Sequence, residues 1–252
     1  MTYPEIRLIG VSGIPEVGPG DDIAKMILDA TIAQSTPILD GDIIVVTQKV
    51  VSKAEGRTVS LHNVNPSPFA IEFALRWDKD PRHVEVVLQE SRRIVRMDRG
   101  VLICETHHGF VCANSGVDQS NIPGVEQVCL LPIDPDASAR TLRKAIYDGS
   151  GNDVAVIISD TFGRPWRVGS TDVAIGIAGM IPLDDLRGQM DPHGYILRVA
   201  LSAVADEIAG ATDLVREKIS GIPVALVRGM QFVRGEGNIQ TLIRERDGDL
   251  FR

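Results

Sequence analysis

The sequence predicts a mixed α+β fold, in which a mixed sheet with antiparallel hairpins is covered by packed helices. Three observations carry that prediction. Seven short runs rich in β-branched residues are bounded mostly by Gly, Asp or Pro: Ile6 to Ile9, Ile43 to Val46, Val101 to Cys104, Phe110 to Ala113, Val128 to Leu131, Val154 to Ile158 and Val224 to Val227. Longer stretches between several of them repeat apolar residues at the helical period. The third and fourth runs flank His107-His108-Gly109 closely enough to pair as an antiparallel hairpin, whereas the strand-to-helix alternations elsewhere suit crossovers. A purely parallel, doubly wound sheet is the alternative. The chain has no G-x-x-x-x-G-K-[ST] P-loop and no strand followed by the Rossmann pattern G-x-G-x-x-G, so neither common nucleotide fold is indicated.

Taken in order, Asp21 or Asp22 caps a first helix bearing Ile23, Met26, Ile27 and Ala30 on one stripe. Ser67-Pro68 starts a second helix. The longest helix is expected from about Ile196 to Glu217, where Ile196, Val199, Ala200, Ala203, Val204 and Ile208 recur at helical spacing. Its alanines would let another backbone approach closely. No repeat, low-complexity tract or linker divides the chain. At about 150 residues per domain, 252 residues read as a single domain over 1–252, with two intertwined lobes as the open variant.

Composition removes several function classes. With 44% hydrophobic and 24% charged residues the chain is in the globular range. A net charge of −8 repels phosphate backbones, and 4% aromatic residues are too few for base-stacking platforms, so nucleic acid is not an expected partner. Any anionic ligand then needs a local cationic or metal site. Cys104, Cys112 and Cys129 are odd in number and lack C-x-x-C spacing, which argues against a disulfide framework or cysteine zinc site and suits a reducing cytoplasm. The N-terminus lacks a basic region followed by an apolar core. The most apolar uncharged stretch, Val173 to Leu183, falls short of the roughly 20 residues of a membrane span, so no membrane association is expected.

Chemistry is sought at strand ends. Val154 to Ile158 leads into Ser159-Asp160-Thr161-Phe162-Gly163-Arg164-Pro165-Trp166-Arg167, placing a carboxylate and a hydroxyl where a buried strand should emerge. Oxygen donors of this kind suit Mg²⁺ or Mn²⁺, though Asp160 could also cap a turn. Asp118 follows another strand in Asn114-Ser115-Gly116-Val117-Asp118-Gln119-Ser120-Asn121, with Asn121 available to an amide or phosphate. Together, the two aspartates suggest a two-ion site for a polyphosphate. Lys49 and Lys53, four apart, could act as point charges on phosphate if the segment after Ile43 to Val46 turns helical; solvated lysines are the plain alternative. Arg164 and Arg167 flank Trp166 and could clamp a carboxylate or phosphate of the substrate, or be surface cations packing on the ring. His107-His108 is read as a hairpin tip. Asp184, Asp185, Arg187, Gly188 and Asp191 read as a charged turn, with an ion pair or a substrate contact both open.

Five segments, in this order, resemble the coenzyme F420-0:L-glutamate ligase family across essentially the whole chain. They are Gly13-Ile14-Pro15 with Gly20-Asp21-Asp22; Ser52-Lys53-Ala54-Glu55-Gly56-Arg57; Gly116-Val117-Asp118 with Ser120-Asn121; Ser159 to Arg167; and Gly221-Ile222-Pro223-Val224-Ala225. The resemblance implies a GTP-dependent ligase that adds L-glutamate through amide bonds to a deazaflavin precursor by way of an acyl phosphate. It also implies a homodimer and two divalent ions, Mg²⁺ or Mn²⁺, with K⁺ open as a further ion. By residue, it assigns Asp118, Asp160 and Thr161 to metal and Gly13, Ile14, Pro15, Glu16, Gln48, Lys49, Lys53 and Asn121 to the nucleotide. The run Arg216-Glu217-Lys218-Ile219-Ser220-Gly221-Ile222 resembles a nucleotide loop, and the chemistry of Glu217 makes it a further candidate metal ligand. The chain departs from the family at Arg216-Glu217, where a Met-Gly pair is common. A metal-dependent phosphohydrolase or a GTP-binding regulatory module would use the same aspartates without forming an amide.

Overall fold

The computed structural model describes residues 3–119, 126–216 and 220–249. In chain order the elements are β1 (Arg7–Val11), α1 (Ile23–Ala33), β2 (Ile43–Thr47), α2 (Gln48–Ala54), β3 (Thr58–Ser60), α3 (Pro68–Trp77), α4 (Pro81–Gln89), β4 (Ser91–Asp98), β5 (Val101–Thr106), β6 (Val111–Ala113), β7 (Gln127–Cys129), α5 (Pro135–Ser150), β8 (Ala155–Arg164), β9 (Arg167–Ala178), β10 (Asp184–Asp185), β11 (Leu201–Ser202), α6 (Val204–Arg216) and β12 (Val224–Arg228). All seven β-rich runs form strands, and the fold is mixed α+β. The main sheet has the order β1-β12-β2-β8-β9; only β2 and β8 are parallel neighbours. The chain around His107-His108-Gly109 turns β5 into antiparallel β6, and β4 completes that smaller sheet.

Local chemistry sets the helix starts. Asp22 caps α1 by accepting from Lys25 N at 3.0 Å, while Asp21 instead accepts from Gly18 N. Ser67 caps α3 with Pro68 at its first position. Burial is divided between two hydrophobic clusters. One gathers β1, β2, β8, β9 and β12 under α1, α5 and α6 and includes Ile27, Ile44, Ile146, Ile157, Ile177 and Leu226. The other joins α3 and α4 to β5 through Leu61, Phe73, Val87, Leu102 and Val128. All three cysteines are free and buried, and burial pushes the Cys112 thiol up to about 12.

Three expectations change. The long helix begins at Val204, because 184–202 folds back on itself: β10 pairs with β11, Leu186 N donates to Ala200 O at 3.0 Å, and Leu197 N donates to Gln189 O at 2.9 Å. Ile196 and Val199 favour extended backbone, and Val199 is 90% exposed. The helix expected to be longest is exceeded by α5, which the periodicity argument passed over. Asp134 caps α5, Pro135 opens it, and Gly151 ends it in the left-handed conformation. Finally, β8 does not stop before Asp160 but runs to Arg164, paired throughout with β9.

Candidate active site

Sheet register gathers the site. Val11 pairs with Val224 and Val46 with Val224, while Thr47 lies beside Ser159 in the parallel β2–β8 pair. The loop after β1, the entry to β12, the start of α2 and the middle of β8 therefore share one end of the sheet. Ser12 anchors the first loop by donating to Gln34 Oε1 through N (2.9 Å) and Oγ (3.1 Å), and Gly20 N donating to Ala54 O ties its far side to α2. Gly13 and Gly221 both have positive φ, and a Cβ on either would meet nothing within 4 Å. The backbone in these two loops is thus open to close approach by a ligand. Ile222 lies against Gly10 at the base of the same end. Lys53 pairs with Glu16 and joins α2 to the loop of Gly13, Ile14 and Pro15.

Lys49 Nζ lies 2.6 Å from Asp118 Oδ2. Asp118 is fixed by a two-way backbone bridge with Cys129, N to O at 3.0 Å and O from N at 2.8 Å. Across from it, Asp160 sits beyond a register shift between Ile158 and Ser159, an irregularity that re-aims side chains. Asp160 keeps some accessible surface, but burial pushes its carboxyl up to about 7; Asp172 and Asp118 add to the rise, while the Thr161 N–H and Lys49 oppose it. Gln48 is buried, with Oε1 accepting from Ser52 Oγ at 2.9 Å and Nε2 left without a protein partner. The oxygen donors and the negative charge gathered around Asp160 could accommodate a hard divalent ion. Among the described residues no three His, Cys, Asp or Glu gather into a metal-ligating group.

The sequence matches the profile of the F420-0:gamma-glutamyl ligase family over residues 13–229. It is 45% identical over 250 residues to a coenzyme F420:L-glutamate ligase of Methanothermobacter thermautotrophicus, covering 98% of this chain and 99% of the relative. The chain belongs to the F420-0:gamma-glutamyl ligase family. Similarly named ligases of Methanocaldococcus jannaschii and Methanopyrus kandleri are 42% and 43% identical, covering 98% and 99% of this chain and 97% and 98% of theirs.

In this ligase Arg216 is a buried cation and not a surface one. Its guanidinium is 3% exposed and pairs with equally buried Asp172 at 2.6 Å, while Nη1 donates to Ser159 Oγ at 3.0 Å. Thr161 Oγ1 donates to the other Asp172 oxygen at 2.7 Å, which leaves the hydroxyl's lone pairs for an ion. Ser159 Oγ donates to Asp172 Oδ2 at 3.0 Å. Asp172 and Ser159 therefore hold the strand that carries Asp160 and Thr161. Sequence reasoning assigned neither a role; pairing Thr161 with Asp172 across a β8–β9 hairpin would have exposed the cluster.

Arg164 and Arg167 lie at the tip of that hairpin, about 13 Å along the strand from Asp160 for a four-residue separation. Arg164 donates to the Val168 and Gly169 carbonyls, bracing the turn at Trp166, whose φ is +57°. The structure thus does not bring these arginines to the aspartates. Asp185 forms a two-bond ion pair with Arg187, which holds its carboxyl down at about 2, so the charged turn is an ion pair. Asn121, Glu217 and Lys218 lie outside the described residues.

Proposed function

We propose that the ligase uses GTP to join L-glutamate to a carboxylate of the deazaflavin coenzyme F420 precursor. The carrying observation is the convergence of Asp118 and Asp160 with Lys49, Lys53 and two open glycine loops at one end of the sheet. A carboxylate is a poor electrophile until one oxygen becomes a good leaving group. In this reading the γ-phosphoryl group of GTP passes to the acceptor carboxylate, giving an acyl phosphate and GDP. The amine of glutamate then attacks the acyl carbon, the C–O bond to phosphate breaks, and the nitrogen sheds its excess protons as the amide forms.

The chain's own groups supply position and charge. Lys49 and Lys53 exchange their present carboxylate partners for phosphate oxygens, and the Gly13 and Gly221 loops bring backbone close to the nucleotide. Asp118 and Asp160, with the Thr161 hydroxyl, would hold Mg²⁺ or Mn²⁺. A divalent ion bound there supplies charge neutralisation for the triphosphate and for the transferring group. Purified chain given GTP, Mn²⁺, L-glutamate and the acceptor should yield GDP and an acceptor heavier by one or more glutamyl units in mass spectrometry. GTP consumption without adduct would establish a phosphohydrolase instead, and GTP binding without GDP a regulatory module.

A homodimer belongs to the same proposal. The 184–202 excursion presents Met190, Tyr195, Ile196, Val199 and Leu201 to solvent, an apolar arm that a second copy would cover. Light scattering at micromolar concentration should give twice the 27.3 kDa chain mass; a monomer mass would refute it. No described helix is long and apolar enough to cross a membrane.

A further inference from the structure

In a chain of net charge −8, one cleft is strongly cationic. It has a volume of 470 Å³ and lies between the β4–β5 hairpin, the turn at 107–109 and the 240–246 segment. Arg92, Arg93, Arg244 and Arg246 line it together with His107 and His108. Among the described lining residues the one carboxylate is Glu105, buried and already engaged by Arg93 Nε at 2.7 Å with Arg92 at 3.7 Å. Four guanidinium groups thus face one spent carboxylate.

Two lining residues carry buried polar atoms without a protein partner, Arg93 Nη2 and His108 Nδ1. The other His108 nitrogen, Nε2, is 2.8 Å from the Pro132 carbonyl, which fixes the ring. A buried guanidinium N–H left unmade costs free energy, so an acceptor from outside the chain would complete it. Ring contacts link the cleft's His108 to the strand that carries Asp160. The His108 ring stacks on Phe110 at 5.5 Å, Phe110 meets Phe162 edge-on at 6.1 Å, and Phe162 shares a face of β8 with Asp160 by two-residue alternation. This wall of rings spans on the order of 20 Å.

We propose that the Arg92, Arg93, Arg244 and Arg246 cleft is a subsite for an oligocarboxylate chain, the anionic γ-glutamyl tail that successive ligations build on the acceptor. The assignment rests on the ligation reading above. Planar guanidinium forks match carboxylates in two-bond geometry, and here four of them come from two separate segments, β4 and 240–246, that line one cleft. Four forks offer more two-bond places than a single phosphate fills, which suits several carboxylates on one chain.

The test is calorimetry on the full chain with a γ-glutamyl tripeptide, free L-glutamate and inorganic phosphate, each titrated separately. The tripeptide should bind about tenfold tighter than either small anion, and Arg92→Gln/Arg244→Gln/Arg246→Gln should weaken it about tenfold or more. Arg93 is left in place because its loss would strand Glu105. Arg244→Lys/Arg246→Lys, which keeps charge but loses the forks, should fall between the unaltered chain and the triple variant. Thermal unfolding of each variant checks the fold. An unchanged tripeptide Kd in the folded triple variant overturns the proposal, as does equal affinity for phosphate or for free glutamate. Binding requires no turnover, so a chain that holds the tripeptide through these arginines yet forms no amide would sink the ligation reading and leave the cleft standing.

Discussion

Asp118→Asn and Asp160→Asn should each lower ligation by roughly 10²- to 10³-fold while the fold survives, since each keeps side-chain size and removes one negative charge from the proposed metal position. The pH behaviour should separate the two residues. Asp160 has its carboxyl at about 7 rather than at the ordinary 3.8, so between those values the folded chain holds a proton that the unfolded chain has released. This contribution to stability is full below about 4 and is lost as pH rises towards 7, because the buried ionised carboxylate has no adequate counter-charge. A divalent ion supplies that charge only to the ionised form. Calorimetric Mn²⁺ affinity should therefore climb as pH rises through about 7. In Asp160→Asn that climb should flatten, and in Asp118→Asn it should persist on a weaker baseline. Full activity of both variants at limiting metal, or Mn²⁺ affinity independent of pH in the unaltered chain, would refute the assignment.

Arg216→Met should cost about 3–5 kcal/mol of unfolding free energy in urea denaturation. The cause is specific: among the described residues Asp172 is paired with Arg216 and accepts from the Ser159 and Thr161 hydroxyls, so without the guanidinium its buried charge would rest on the two hydroxyls. Asp172→Asn should cost a comparable amount by stranding the guanidinium, which burial already pulls below its ordinary pKa against the pull of Asp172. Pairing Arg216→Met with Asp172→Leu should recover much of the loss, because no charge is then left unpaired. A midpoint unchanged in Arg216→Met would show that the pair is energetically idle. Ligation should fall further than stability explains, since Ser159 and Thr161 would lose the carboxylate that orients them beside Asp160.

Short-range chemistry was legible without coordinates. The seven β-branched runs all became strands, Asp22 and Ser67 capped the helices expected of them, and the His107-His108-Gly109 turn closed the hairpin. Signals for α5 were present in Asp134-Pro135 and Gly151, but its buried side chains, Ala139, Leu142 and Ile146, make too thin a stripe to stand out among charged neighbours. The 196–203 segment misled in the opposite sense. Its apolar spacing imitates a helix, while its bonding partners lie in 184–190 and satisfy an extended backbone.

The sequence by itself determined the fold class, the family and the residue types from which a phosphate and metal site could be made, since caps, turns and residue runs act over a few positions. The tertiary structure alone decided which of those residues meet. Register across the main sheet placed Ser159 beside Thr47 and Asp172 beside Thr161, drew Arg216 into a buried ion pair, and left Arg164 and Arg167 at a distant hairpin tip. Long-range pairing depends on how whole strands bury their apolar faces against one another, and no spacing along the chain encodes that choice.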